Sequence, residues 1–257
     1  STPRAALMPR ETATTTRRPG TRGIVMCSSA AMLDDTRRAL GRIRATGCAL
    51  PVEIWHVAEL RDDHTTFAGS DPTVTVHDLV GRLSPGLEER ELSALRGFMC
   101  KPLALLASSF DEVLVVDHDA HVFLNPARLF ESTVYRRTGM LLFRDRAMLR
   151  THGGPGVNDR SRFVRQLVGR RLALGAEWFF EEELTSTAAE RHDAWRPAPS
   201  LAASRMFNGE SNGEIDSSLV LLHKRRLADT VVAALWRLHE QHRHELYHFL
   251  HGDKETY

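Results

Sequence analysis

Apolar positions along the chain fall into short unbroken runs separated by stretches of helical spacing. GIVMC (23–27) suits a buried first strand. LDDTRRALGRIRATG, which follows it, sets Leu33, Leu40 and Ile43 on one helical face, with Gly47 as its stop. PVEIWHV (51–57) predicts a second strand and TVTV (73–76) a short third. SPGLEERELSALRGFM carries Leu92, Leu95 and Met99 at helical spacing. Lys101-Pro102 opens the almost wholly apolar helix LALLASSF, with proline in the first turn, where a missing N–H costs little. Val113–Val116 form another buried run, GMLLFR (139–144) and SSLVLLHK (217–224) two more. Leu227, Val231, Leu235 and Leu238 stripe a long closing helix.

Helices alternating with wholly apolar strands predict an α/β domain built on a mostly parallel sheet. STPRAALMPRETATTTRRPGTR (1–22) is polar and aperiodic and reads as a flexible tail. Residues 23–257 read as one domain, with the looser 151–214 region an elaboration on it.

Composition narrows the function. The 257 residues are 42% hydrophobic and 26% charged, with a net charge of +1, so no global field recruits nucleic acid or an anionic membrane. The arginines at 136–171 read as a solvated face. Cys27, Cys48 and Cys100 lie outside any Cys-x-x-Cys pattern, which argues against structural zinc; they allow at most one internal disulfide. No apolar run is long enough to span a bilayer, and there is no signal peptide. The chain starts at Ser1 and stops at HGDKETY, which reads as a fragment, so any membrane anchor is expected outside it.

The chemistry concentrates where the run Val113–Val116 opens directly onto Asp117 and Asp119, with only His118 between them. Ligands of open α/β sheets gather at the carboxyl ends of strands. Two like charges this close need a cation or a shared proton. Oxygen ligands of this kind suit Mn2+ or Mg2+ carrying a substrate phosphate. Two chemistries answer the pattern: transfer from a nucleotide sugar, or a haloacid-dehalogenase-like phosphatase with Asp117 as nucleophile. The phosphatase pattern wants Thr or Val four positions after the first acid, where this chain has His121, and an earlier strand.

Longer stretches resemble one family. KPLALLASSFDEVLVVDHDAHVFLNPARLFES is similar to the central block of the fungal-type Golgi α-mannosyltransferases that elongate mannan and N-glycans. GIVMCSSAAMLDDTRRALGRIRATGCALPVEIWHV resembles their opening strand, helix and strand. EIDSSLVLLHKRR and HGDKETY resemble two later motifs, and the four blocks keep the family's order. The resemblance implies a glycosyltransferase A-type fold, a GDP-mannose donor, a mannose-terminated glycan acceptor, Mn2+ (or Mg2+), retention of the α configuration and a luminal Golgi site.

It also implies roles for individual residues. Asp119 would ligate the metal and Asp117 would contact the donor ribose or, through water, the metal, with His251 or His248 completing the shell. Lys101 would reach the nucleotide end, Lys254 the leaving diphosphate, and Asp253 donor or acceptor hydroxyls. Asp216 would present the catalytic carboxylate to the sugar. Trp55 and Trp178 would stack on sugar or serve as core, core being the commoner use. The family's Gln is replaced by Leu219 and its small middle residue by His118, so a catalytically silent carbohydrate-binding relative is a third reading.

Overall fold

The computed structural model describes residues 20–60, 71–83, 92–93, 95–146, 203–211, 213–227, 253 and 257. Six strands are β1 (Arg22–Cys27), β2 (Val52–His56), β3 (Val74–Asp78), β4 (Glu112–Val116), β5 (Met140–Arg144) and β6 (Ile215–His223). Among the described residues the α-helices with defined bounds are α1 (Leu33–Ala45), α2 (Leu79–Leu83), α3 (Cys100–Ala107) and α4 (Thr133–Thr138). The tail expected at 1–22 lies outside the described residues up to position 19, as do the closing helix beyond Leu227 and most of 151–214.

The strands form one sheet in the order β3-β2-β1-β4-β6-β5. β1 pairs in parallel with both β2 and β4, and β2 in parallel with β3. β2 and β4 are buried along their whole length and β1 along its centre. That is why their sequences are continuous apolar runs rather than alternating ones. β6 runs antiparallel to β4, a direction that an apolar run alone does not encode. The outer strands β3 and β5 are half-buried and the least regular in sequence; β3 runs on two residues past the TVTV run.

One face of the sheet presents Ile24, Met26, Ile54, Leu114, Val116 and Leu221 to Leu33, Leu40 and Ile43 of α1. α1 ends with Gly47 at φ +79°, the left-handed stop its position predicts. Val25, Val113 and Val115 point to the other face by strand alternation. α3 contacts β1, β2 and β4 and buries Leu103, Ala104 and Leu105 completely or nearly so. At its C-terminal end the buried Lys224 donates to the carbonyls of Leu105 and Ser108 at 3.3 and 2.6 Å, meeting the negative end of the helix. Trp55 is fully buried and stacks on His77 at 4.7 Å, so it is core rather than a sugar platform. Trp178 lies outside the described residues.

Of the described residues, 20–143 and 217–227 belong to one compact unit, and 144–146, 203–216, 253 and 257 to a second. In the second unit Glu214 accepts from the Met206 amide at 3.2 Å and faces Arg205 and Arg144 at 3.9 and 3.5 Å.

Candidate active site

The strand order reverses direction at β1: the chain moves outward to β2 and β3 on one side, then returns to β4 on the other. Such a switch point leaves a crevice at the carboxyl ends of the two central strands, where open α/β sheets bind ligands. The residues there are Cys27, which ends β1, and Asp117, which follows β4. Continuing the β1–β4 register from Val25↔Val115 sets Cys27 alongside Asp117.

The backbone fixes Asp117 firmly. Its N–H donates to the Ser218 carbonyl on β6 at 3.0 Å, and its carbonyl accepts from Ala120 at 3.1 Å. The second bond closes a turn that ends β4 and carries the chain outward. Asp117 is therefore half-buried, while Asp119, at the turn's outer corner, is exposed. Asp119 makes no hydrogen bond or ion pair among the described residues. One short turn thus presents a held carboxylate and an open one, two residues apart.

Lys101 comes to Asp117 from the first turn of α3. Gly97 at φ +74° and a 3-10 turn (Gly97–Met99) swing the chain into the helix. Lys101 Nζ lies 2.6 Å from Asp117 Oδ1 and 3.2 Å from both the carbonyl and the hydroxyl of Ser217. A lysine in a first turn opposes the helix dipole; the Asp117 carboxylate offsets that. The pair is shielded, with Lys101 12% and Asp117 25% exposed at the side chain. Ser217 was not identifiable from sequence as part of this arrangement.

Cys27, the last residue of β1, and Cys100, the first residue of α3 and the neighbour of Lys101, come to this same end of the sheet. The nearby Cys100 side chain, then burial, pushes the Cys27 thiol well above its usual range, and Lys101 partly opposes the shift. At the end of β2, burial lowers the pKa of His56 against the opposing charge of Asp78. Its Nδ1 accepts from the amides of Glu59 and Leu60 at 3.3 and 3.4 Å, which suits a neutral imidazole.

Of the residues expected to form the site, Lys101 and Asp117 are in direct contact, and Asp119 shares the turn of Asp117. Asp216 lies on β6, one residue before Ser217, and is half-buried; it is assigned to the second unit. Asp253 is in that unit too, buried, and accepts from the Tyr257 hydroxyl at 2.7 Å. Lys254 and His251 lie outside the described residues. Among the described residues, no three His, Cys, Asp or Glu side chains are grouped to hold a metal.

The family model described as "Mannosyltransferase putative" (Mannosyl_trans3) matches residues 21–257. Alpha-1,3-mannosyltransferase MNT2 of Saccharomyces cerevisiae is similar at 23% identity over 252 residues, covering 93% of this chain and 41% of that protein. Alpha-1,2-mannosyltransferase MNN22 of Candida albicans is 27% identical over 188 residues, covering 68% of this chain and 31% of that protein. The chain thus spans about two fifths or less of these relatives' length. Among solved structures, the bifunctional glycosyltransferase WbbM gives a TM-score of 0.44 at 10% identity, over 85% of this chain and 34% of that one. Galactosyltransferase LgtC gives 0.40 at 12% identity, over 85% of this chain and 65% of that one. The family model takes in both central strands, the Asp117 turn and the C-terminal motif, and the chain belongs to this mannosyltransferase family.

Proposed function

We propose that residues 21–257 carry the donor-binding core of a metal-dependent, retaining α-mannosyltransferase. It moves mannose from GDP-mannose to a mannose-terminated glycan in protein glycosylation. The observation that carries this reading is the Lys101–Asp117 ion pair at the β1–β4 switch point, with Asp119 exposed two residues later, in a chain of this family.

The donor set fits a hard divalent cation. Asp119 offers an open carboxylate, and Mn2+ or Mg2+ takes oxygen ligands while keeping waters and sharing substrate phosphates. Asp117 Oδ1 is engaged by Lys101, so Asp119 is the direct ligand and Asp117 acts through water or on the ribose. When bound, the cation neutralises the charge that grows on the diphosphate as GDP departs.

The protein's own residues do the rest. Lys101 fixes the Asp117 carboxylate, and Ser217 fixes Lys101, so the acid keeps one orientation at little cost in reorganisation. Asp216 would supply the catalytic carboxylate, as nucleophile in a two-step retention or as stabiliser of an oxocarbenium-like state in a one-step one. By motif resemblance, Lys254 would meet the leaving diphosphate, Asp253 would hold sugar hydroxyls, and His251 or His248 would complete the metal shell. The setting is the luminal side of a Golgi membrane. No described helix is long and apolar enough to cross a membrane.

Calorimetry of GDP-mannose with and without Mn2+, on wild type and Asp119→Ala, tests the reading. Metal-dependent binding lost in the variant supports it, and mannose transfer to mannobiose completes it. Binding without transfer points to a silent relative. An aspartyl-phosphate on Asp117 with no affinity for GDP overturns it in favour of the phosphatase.

A further inference from the structure

The sheet topology puts two cysteines, 73 positions apart in sequence, at one place. β1 delivers Cys27 to the switch-point crevice as its last residue. α3, which lies against β1, begins at Cys100. The two side chains are close enough for Cys100 to act on the Cys27 thiol, and none of the three cysteines is in a disulfide. Cys48 takes no part: it is buried in the α1-side core, between the end of α1 and the start of β2, at the opposite end of the strands.

We infer that Cys27 and Cys100 are a disulfide-forming pair, whose oxidation ties the end of β1 to the first turn of α3 beside Lys101 and Asp117. Access orders the two thiols. Cys27 is half-buried, whereas Cys100 is 4% exposed. Cys27 is therefore the sulfur that an external oxidant reaches, and Cys100 the one that resolves.

With oxidised glutathione as oxidant, the Cys27 sulfur attacks one glutathione sulfur and breaks its S–S bond. One glutathione leaves and takes up the proton that Cys27 gave. The Cys100 sulfur then attacks Cys27 in the mixed disulfide, releasing the second glutathione with the proton of Cys100. One protein disulfide forms, one glutathione disulfide is reduced, and two glutathione thiols result.

The closed bond has a direct structural consequence. Lys101 is the next residue after Cys100, and its ammonium spans to Asp117 and Ser217. Tethering Cys100 to β1 holds the helix turn that aims this ammonium. The crevice then carries a covalent clamp on its α3 side as well as the hydrogen bonds on its β6 side. The inference stands on the placement of the two cysteines by β1 and α3 and does not depend on which sugar or nucleotide the crevice takes.

The experiment is disulfide mapping on the full chain. Protein purified under reducing conditions is incubated with oxidised glutathione and, in parallel, with diamide. Diamide is a small uncharged oxidant that reaches half-buried thiols and takes up two hydrogens at its azo bond. Remaining thiols are alkylated after denaturation, and peptides are identified by mass.

The expected product links the peptides of Cys27 and Cys100, with Cys48 alkylated throughout. Cys48→Ser gives the same link. Cys100→Ser stops at a single glutathione on Cys27. The oxidised wild type melts on the order of 10 °C higher than the reduced form, a gain removed by reductant and absent from Cys100→Ser. Both thiols still alkylatable after the two oxidants, in protein that keeps its folded circular dichroism, overturns the inference. So does a link that includes Cys48.

Discussion

Lys101 Nζ sits 2.6 Å from Asp117 Oδ1, joining the first turn of α3 to the residue that ends β4. The contact spans two elements that sequence order keeps apart, and it lies in a shielded crevice rather than on the open surface. Its value is therefore intermediate. An exposed ion pair contributes about 0–1 kcal/mol, and breaking a buried one costs about 3–5 kcal/mol.

With both side chains partly exposed, Lys101→Met is expected to destabilise the fold by about 1–3 kcal/mol, mostly by leaving Asp117 uncompensated. Asp117→Asn in that background should recover much of the loss. Urea melts of the two single variants and the double variant check this as a thermodynamic cycle. Strict additivity would mean that the contact contributes nothing.

Asp119 gives the opposite signature. It is exposed and makes no bond among the described residues, so Asp119→Asn should leave the urea midpoint within about 0.5 kcal/mol of wild type. Mn2+-dependent affinity for GDP-mannose should fall by at least on the order of 100-fold. Calorimetry beside a melt separates the two. A variant that loses both stability and binding would show Asp119 to be structural, and the metal reading would lose its main ligand.

The central strands were legible because β1, β2 and β4 are buried on both faces, and a two-sided strand must be apolar throughout. Asp117 was legible because it interrupts such a run at the end where ligands collect. Ser217 and the nearness of Cys27 to Cys100 were not. The Lys101–Ser217 bond spans 116 positions and leaves no local periodicity. The two cysteines come to one end of the sheet only because β4 returns beside β1, a property of strand order. The direction of β6 was hidden for a related reason: antiparallel pairing with β4 buries Val220–Leu222 as fully as parallel pairing would. Asp216 and Asp253 were named from motif resemblance, which gives residue type and order along the chain but no distances.

An acid-side pH dependence follows from Asp71, just before β3. Thr73 donates to its carboxylate through side chain and backbone at 2.5 and 3.0 Å, and Arg44 of α1 reaches it at 2.7 Å. The Thr73 hydroxyl first, then Arg44, draws the Asp71 pKa from 3.8 down to about 2. A carboxyl that is more acidic folded than unfolded stabilises the fold above its unfolded pKa and loses that contribution as pH falls through the folded value. Asp71 therefore contributes fully above about pH 4 and progressively less down to about pH 2. Thermal melts across that range should show a shallower acid limb in Asp71→Asn than in wild type. Identical limbs would rule out the linkage. The side chain is one-quarter exposed, so the effect is expected to be modest.

Gly23 supplies a prediction whose sign depends on its neighbour. It is buried in β1 opposite Val113 of β4, and a Cβ added there would collide with Cε2 and Cζ of the Phe110 ring. The ring is 93% buried, so it cannot simply swing into solvent. Gly23→Ala should therefore cost about 1–3 kcal/mol through overpacking, even though alanine is ordinarily the better strand residue by about 0.5–1 kcal/mol. Removing the ring removes the collision and leaves only that preference. In a Phe110→Ala background, already weakened by the missing ring, adding Gly23→Ala should become neutral or stabilising. Urea melts of the four proteins test it. A Gly23→Ala penalty unchanged by loss of the ring would mean that β1 itself, rather than Phe110, demands glycine at this position.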